Sequence, residues 1–238
     1  MPSWNIHIAH VEATLRSVGD PSALGIGDQN AFLFGNFVPD INVGYMVKNP
    51  DRRIEYRVTH FADPGFMPEP HYWEFWERYA LPSADANGRV SDATLGAWCH
   101  LVADNRYNHA VNALLLRRGL KPGEDTRIRK QGDFDLFGRT LRIGMTCEPT
   151  PNLVRQAAEF PQYAIDVRDA RAAVEVANQI VRNNWVNHFD GDPVYRLLSS
   201  DFFSTVFDEV QNVIGEGLLA YARQGAVAPE LRRERAHA

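Results

Sequence analysis

A histidine and an aspartate spaced by one helical turn, His100 and Asp104, lie inside a long apolar stretch of the chain. Residues four apart project from the same face of an α-helix. Burial of both groups among apolar side chains would be costly if nothing satisfied them. Neutral imidazole and carboxylate oxygen are both ordinary zinc ligands, so a bound cation would satisfy the pair. The spacing therefore suggests a metal site, and the other histidines and aspartates of the chain strengthen this interpretation.

Six of the eight histidines occur in the first 110 residues, most of them at predicted ends or turns of elements. Each alone has a simpler interpretation, because a buried histidine is usually a satisfied core residue and an aspartate after proline usually forms a turn. As a set, histidines and aspartates without thiolates suit zinc or another divalent transition metal, and the carboxylates leave room for two ions. The candidate ligands are His7, His10, Asp40, His60, His100 and Asp104.

Helices must position these side chains, and apolar spacing predicts where the helices lie. The strongest pattern covers residues 91–118, where Ser91 can cap the first turn. A stripe of the same period predicts an opening helix over residues 5–18. Further helices are predicted over residues 72–80, 166–187 and 201–224.

The connections between these helices are predicted to be long. The apolar segment 31–40 is expected to break at Pro39, and residues 121–150 are expected to be irregular. Residues 41–71 are expected to form mostly loops, with a short β-like patch at residues 56–61. Long loops in a compact domain are often functional. The sequence thus predicts an all-α fold, a single multi-helix domain with long loops around a metal site.

Bulk composition limits the classes of function. A hydrophobic content of 45% supports a packed core, and residues 1–238 are interpreted as one domain. A net charge of −5 gives no reason to expect nucleic acid as a partner. The two cysteines make no disulfide framework, no stretch approaches ~18 apolar residues, and the N-terminus lacks a signal-peptide pattern. A cytoplasmic protein is expected, with no transmembrane segment and no identified protein partner.

Four short motifs follow one another in the first 110 residues. They are a histidine in the opening helix and the segments Phe34–Asp40, Thr59–Phe61 and Trp98–Asp104. In this order they resemble the zinc-dependent phospholipase C family, part of the wider phospholipase C and P1 nuclease superfamily. The remainder of the chain resembles that family only as a helical continuation.

The resemblance implies a role for each candidate ligand. In the family, the Pro-Asp aspartate, the following histidine and both members of a His-x-x-x-Asp pair hold one metal. These positions match Asp40, His60, His100 and Asp104. The aspartate of the pair also bridges to a second metal held by an N-terminal histidine, matched by His7, with His10 as the alternative if the register is shifted. The expected cofactor is zinc, as two ions, with other divalent transition metals as alternatives.

The chain departs from the family at two points. Secreted members use the free amino group of an N-terminal tryptophan as a ligand, whereas Trp4 is internal unless three residues are removed. They also hold a third metal through a later histidine and a His-x-x-x-Glu pair, and no such pair occurs here. His109 is not expected to supply a ligand of this third metal. It follows His100 by nine residues, a rotation of about 900° along a helix, so the two side chains project from opposite faces.

Polar residues further along the chain have structural interpretations. His188 is interpreted as a packing residue near a helix end rather than a third-metal ligand. Asp133 and Asp135 are interpreted as structural residues in a loop near basic side chains. Arg106 could reach a phosphate, but a solvated or paired arginine is favoured.

The reaction implied by the resemblance is hydrolysis of a phosphodiester or phosphomonoester at a two-metal site. The expected partner is a small phosphoester substrate, and Asp40 could alternate between ligand and proton acceptor by analogy. Bulk membrane phospholipid is disfavoured because no basic or amphipathic membrane-facing surface is identified.

Other catalytic classes lack their motifs. None of the eight histidines is followed by aspartate, as His-Asp phosphohydrolases require. Neither the Gly-x-Ser-x-Gly elbow of serine hydrolases nor the phosphate loop of NTPases occurs. The alternative function is a non-catalytic, metal-stabilised helical scaffold or binding protein. A closed coordination shell would favour it, and an open position would favour catalysis.

Overall fold

The computed structural model describes residues 2–234 and confirms the all-α fold. Within these residues the chain forms helices and their connections, and no strand. The α-helices of this described part are α1 (Trp4–Arg16), α2 (Gln29–Gly35), α3 (Val38–Ile41), α4 (Tyr56–His60), α5 (Tyr72–Phe75), α6 (Asp92–Arg117), α7 (Glu124–Thr140), α8 (Pro151–Ala158), α9 (Val167–Val186) and α10 (Ser200–Gln224). A wider π-helical turn, Trp76–Ala80, extends α5.

Four long helices, α1, α6, α9 and α10, lie where apolar spacing predicts them, and polar caps set the first residues of α6 and α10. The Ser91 hydroxyl accepts the amide N–H of Thr94 at 3.1 Å at the start of α6. Ser199 caps α10 in the same way through the amide of Phe202. Such caps satisfy amides that have no partner inside the helix. Local sequence therefore determines these helix starts.

The β-like prediction for residues 56–61 is wrong, because residues 56–60 form the short helix α4. One helical turn brings the ring of Tyr56 onto that of His60, with centroids 3.8 Å apart. The hydroxyl of Thr59 donates to the carbonyl of Tyr56 at 3.1 Å. These contacts form only in a helix, and they override the strand preference of β-branched and aromatic residues. Phe61 ends the turn in the left-handed region, at φ 52°.

Two further predictions about connections are corrected. Most of the stretch predicted to be irregular forms α7. Its sequence is mostly polar, so no apolar period reveals the helix. Ion pairs between side chains about one turn apart, such as Arg127 with Glu124, stabilise it. Asp133 and Asp135 therefore lie on a helix and not in a loop. Pro39 does not break its segment, because it occupies the first turn of α3, where its missing N–H costs nothing.

A close contact between α2 and α6 fixes the centre of the fold. A Cβ added at Gly96 would lie 2.1 Å from the carbonyl oxygen of Phe32, and one at Gly35 would lie 2.2 Å from that of Ala93. Only glycine allows the two backbones to approach so closely. The contact places the end of α2, at Asn36, against the N-terminal third of α6.

The remaining helices enclose α6. The buried apolar side chains form one continuous cluster that includes residues of α1, α6, α9 and α10. α1 packs against α7, α9 and α10, so its inward face is completely enclosed. No helix of the described part is both long enough and apolar enough to cross a membrane.

Candidate metal centre

Four helices bring five of the predicted ligands together in the interior. α1 contributes His7, α3 contributes Asp40, α4 contributes His60, and α6 contributes His100 and Asp104. All five residues have a relative exposure of 0%. Three imidazoles and two carboxylates with no exposure to water need partners in the interior.

The five side chains form two overlapping groups. His7, His100 and Asp104 form one group, and Asp40, His60 and His100 form the other. Within each group, one ligand atom from every member lies within 4.8 Å of the others. His100 belongs to both groups. The arrangement therefore offers two adjoining places for a cation.

The Asp104 carboxylate faces all three imidazoles. Its Oδ1 lies 3.3 Å from His7 Nε2, and its Oδ2 lies 3.6 Å from His60 Nε2 and 3.8 Å from His100 Nε2. The Nε2 atoms of His60 and His100 are 3.2 Å apart. The carboxylate thus stands between the two groups, where one oxygen can serve each.

Hydrogen bonds orient two of the imidazoles. Nδ1 of His100 lies 2.9 Å from the backbone carbonyl oxygen of Asn36, and Nδ1 of His60 lies 3.2 Å from that of Tyr56 and 2.7 Å from the Thr59 hydroxyl. A carbonyl oxygen can only accept, so each Nδ1 carries the proton. The Nε2 lone pairs are then directed toward the interior, as metal-ligating histidines require.

The two carboxylates are each held by one aromatic side chain. The indole Nε1 of Trp4 donates to Asp40 Oδ2 at 2.9 Å, and the Tyr56 hydroxyl donates to Asp104 Oδ2 at 3.2 Å. Neither residue was predicted to belong to the site. The signal for Tyr56 was its spacing of four from His60, which is a contact only when the segment is helical.

Several atoms at the centre have no hydrogen bond within the described part of the chain. They are Oδ1 of Asp40, Oδ1 of Asp104 and both ring nitrogens of His7. His7 Nε2 is close to Asp104 Oδ1 in distance, yet the two are not aligned as donor and acceptor. Buried polar atoms of this kind are rare in proteins. Inward-facing oxygens and imidazole nitrogens without partners fit a bound divalent cation.

Burial also sets the charge of the centre. It lowers the pKa of both His60 and His100, which keeps these imidazoles neutral at pH 7. It raises the pKa of Asp40 to about 6. For Asp104 burial acts in the same direction, but the neighbouring His100 and His7 outweigh it and hold the pKa well below its usual range. Two carboxylates beside the neutral imidazoles of His60 and His100 leave buried negative charge that a cation would neutralise.

His10 lies outside both groups, so the geometry does not support it as the alternative ligand. Its Nε2 is 3.3 Å from the Tyr107 hydroxyl, its Nδ1 is 2.7 Å from Nε2 of Gln211, and its ring stacks on Phe207. One turn along α1 from His7, the side chain is directed toward α10. Of the two histidines in α1, the structure thus places only His7 at the centre.

Other polar residues of the described part have partners away from the centre. His109 lies 3.0 Å from Glu69, and His188 near the end of α9 lies 3.0 Å from Asp190. Arg106 is buried and lies 3.2 Å from Glu209. Asp133 accepts the backbone amides of three consecutive residues, Arg196, Leu197 and Leu198.

A cleft of about 570 Å³ adjoins the centre, and both Trp4 and Tyr56 line it. These two side chains touch the ligand carboxylates on one side and the cleft on the other. They therefore separate the buried centre from solvent. Arg57, Arg127 and Lys130 also line this cleft.

Comparisons of the chain with protein-family models, curated proteins and solved structures find no match. The resemblance to the phospholipase C family, based on four short motifs, therefore stays a prediction. What the centre does has to be inferred from its own chemistry.

Proposed function

We propose that this protein is a metal-dependent phosphoester hydrolase with a centre for two divalent ions, zinc being the first candidate. One observation supports this most directly. The two buried groups of candidate ligands share His100, face the carboxylate of Asp104, and contain oxygen and nitrogen atoms that have no hydrogen-bond partner in the described part of the chain. Divalent ions bound there would lower the pKa of a water molecule and neutralise phosphate oxygens. Mixed histidine and carboxylate ligands suit ions of this kind.

In this proposal the residues of the centre have different roles. His7, His60 and His100 bind through the nitrogens directed inward, and Asp104 spans both groups. Asp40 has one oxygen fixed by Trp4 and the other without a partner, so its Oδ1 is the atom that would accept a proton. A small phosphoester would reach the centre from the cleft, past Trp4 and Tyr56.

The first test measures metal content and turnover together. The purified protein is expected to hold zinc or a similar ion and to hydrolyse a generic phosphodiester such as bis(p-nitrophenyl) phosphate. The double change of His100→Ala and Asp104→Ala should remove both metal and turnover. The matched control, His188→Ala with Asp190→Ala, removes another His–Asp pair and should keep both. Turnover that survives the first double change would refute the proposal.

Single changes test the two-group arrangement. His7→Ala should lose one ion, His60→Ala should lose the other, and His100→Ala should lose both, because His100 is the histidine that the two groups share. Metal analysis of the folded variants gives the count. Loss of the same number of metal ions in all three variants would contradict two separate metal-binding sites.

A second function, a metal-stabilised scaffold or binding protein, is favoured by one observation. All five ligands have a relative exposure of 0%, and Trp4 and Tyr56 cover them. A structural ion has a closed shell of protein ligands, whereas a catalytic ion keeps one position for water. Protein with its full metal content that turns over neither phosphomonoester nor phosphodiester would establish the scaffold instead.

A further inference from the structure

The cleft beside the centre carries a wall of positive charge. Arg57 comes from α4, and Arg127 and Lys130 come from α7. Asp135 is the one acidic residue among the described residues that line the cleft. The side chains that line the cleft are net positive, although the chain as a whole carries −5. Arg57 and Arg127 also form exposed ion pairs with Glu55 and Glu124, which do not line the cleft. A wall of this kind attracts anions and repels ammonium groups.

Lys130 is the most unusual member of this wall. Its relative exposure is only 5%, and its Nζ lies 5.8 Å from the centroid of the Phe134 ring. Burial lowers the pKa of Lys130 and so does the charge of Arg127, whereas Asp104 raises it. Lysines are almost never buried without a compensating anion, because desolvation of the charge is costly.

The wall is separated from the centre by Trp4 and Tyr56, which reach the ligand carboxylates with their polar ends. A phosphoryl group at the centre would therefore leave the rest of its molecule in the cleft. The rest of the molecule would then face Arg57, Arg127 and Lys130.

We propose that the cleft binds the alcohol part of the substrate, and that this part carries a second anionic group such as another phosphate or a carboxylate. This inference rests on the proposed function for the first phosphoryl group. It places esters of zwitterionic alcohols, whose ammonium group would meet three cations, outside the preferred class. The same chemistry occurs in free organic phosphates and in anionic lipid headgroups.

The test compares two soluble probes of equal length, trimethylene bisphosphate and propyl phosphate. Calorimetric titration at fixed ionic strength should show that the zinc-loaded protein binds the bisphosphate about tenfold more tightly, the effect of two ordinary charge contacts. Arg127→Gln with Lys130→Met should abolish this preference and leave zinc content and propyl phosphate binding unchanged. Equal affinity for the two probes in the unchanged protein would overturn the inference.

A matched variant controls for net charge. Arg155→Gln with Arg182→Gln also removes two positive charges, both from exposed side chains paired with glutamates elsewhere on the surface. This variant should keep the preference for the bisphosphate. Loss of the preference in this variant would overturn the inference, because the preference would then reflect the net charge of the protein and not the cleft. Circular dichroism of each variant establishes that it is folded.

Metal-free protein separates this inference from the proposed function. If the protein takes up no metal, the hydrolase proposal fails, yet a bisphosphate preference that depends on Arg127 and Lys130 would still support the cleft. Sedimentation with phosphatidylcholine vesicles, with and without a phosphoinositide, identifies the source of the ligand. Retention only by the anionic vesicles supports a headgroup, and soluble binding without retention supports a free phosphate.

Discussion

Single hydrogen bonds from Trp4 and Tyr56 hold the two carboxylates of the candidate centre. Each donor leaves the second oxygen of its carboxylate without a partner, Oδ1 of Asp40 and Oδ1 of Asp104. Partners behind metal ligands orient them and adjust their basicity. At the scale of residues, the centre therefore depends on two side chains that are not candidate ligands.

Tyr56→Phe tests this dependence. The change removes only the hydroxyl that donates to Asp104 at 3.2 Å, and it should weaken zinc affinity by about 10- to 100-fold. Competition with a chromophoric chelator measures the affinity. Tyr45→Phe is the matched control, since Tyr45 lines the same cleft but is half exposed and should have no effect. Equal affinities for Tyr56→Phe and the unchanged protein would show that this bond is irrelevant.

His10 provides a prediction on pH. Burial holds its pKa well below 6.5 in the folded protein, whereas the unfolded chain titrates near 6.5. Between these values the unfolded state binds one more proton, so the free energy of unfolding falls as the pH drops below about 6.5. One such group contributes a slope of about 1.4 kcal/mol per pH unit.

His10→Gln should remove this contribution and keep a hydrogen bond to Tyr107. Urea denaturation of the metal-free proteins between about pH 7 and about pH 5 measures the slopes. His60 and His100 contribute to both proteins, so the difference isolates His10. Parallel curves would contradict a neutral His10 in the folded state.

At the scale of elements, the contact of α2 with α6 positions the centre. The carbonyl of Asn36, just after α2, accepts from Nδ1 of His100 at 2.9 Å. This bond is within reach because Gly35 and Gly96 let the two backbones touch. The orientation of the shared ligand thus depends on two residues without side chains.

Gly96→Ala should separate these helices, because the added methyl group would lie 2.1 Å from the carbonyl oxygen of Phe32. We expect a loss of about 3 kcal/mol in the free energy of unfolding and weaker zinc binding. Gly215→Ala is the control within another helix, where an added Cβ would meet no atom of the described residues within 4 Å apart from its own helix backbone and chain neighbours. It should increase stability by about 0.5–1 kcal/mol. Chemical denaturation distinguishes them, and equal effects would contradict the close contact.

At the scale of the whole molecule, the core of this protein contains a polar interior. α1, α3, α4 and α6 enclose five ionisable side chains within one apolar cluster. Such a core loses stability when its buried carboxylates face each other without a counter-ion. The metal is therefore expected to stabilise the fold as well as to serve the proposed chemistry.

Removal of metal tests this coupling. Treatment with a chelator should lower the melting temperature, and zinc at about 100 times its dissociation constant should restore about 2.7 kcal/mol, or roughly 5–10 °C. His100→Ala should show no response to zinc. Calcium serves as the control ion, because it prefers an all-oxygen shell. A melting temperature independent of zinc would contradict a metal centre in the folded protein.

The amino-acid sequence by itself determined the helical class of this protein, the approximate bounds of α1, α6, α9 and α10, and the shared face of His100 and Asp104. These features follow from periodicity and capping within a few residues. It could not determine the helical state of residues 56–60 or of α7, where tertiary contacts or a mostly polar surface hide the pattern.

Only the tertiary structure decided which remote side chains converge. His7 rather than His10 reaches the candidate metal centre because of how α1 is rotated against α6 and α10. In the sequence the two histidines, about one helical turn apart, are equally suited to the role. The same holds for Trp4, Tyr56 and the cations of the cleft. Their positions depend on packing between helices distant along the chain, and that packing depends on contacts, such as those of Gly35 and Gly96, that have no local periodicity.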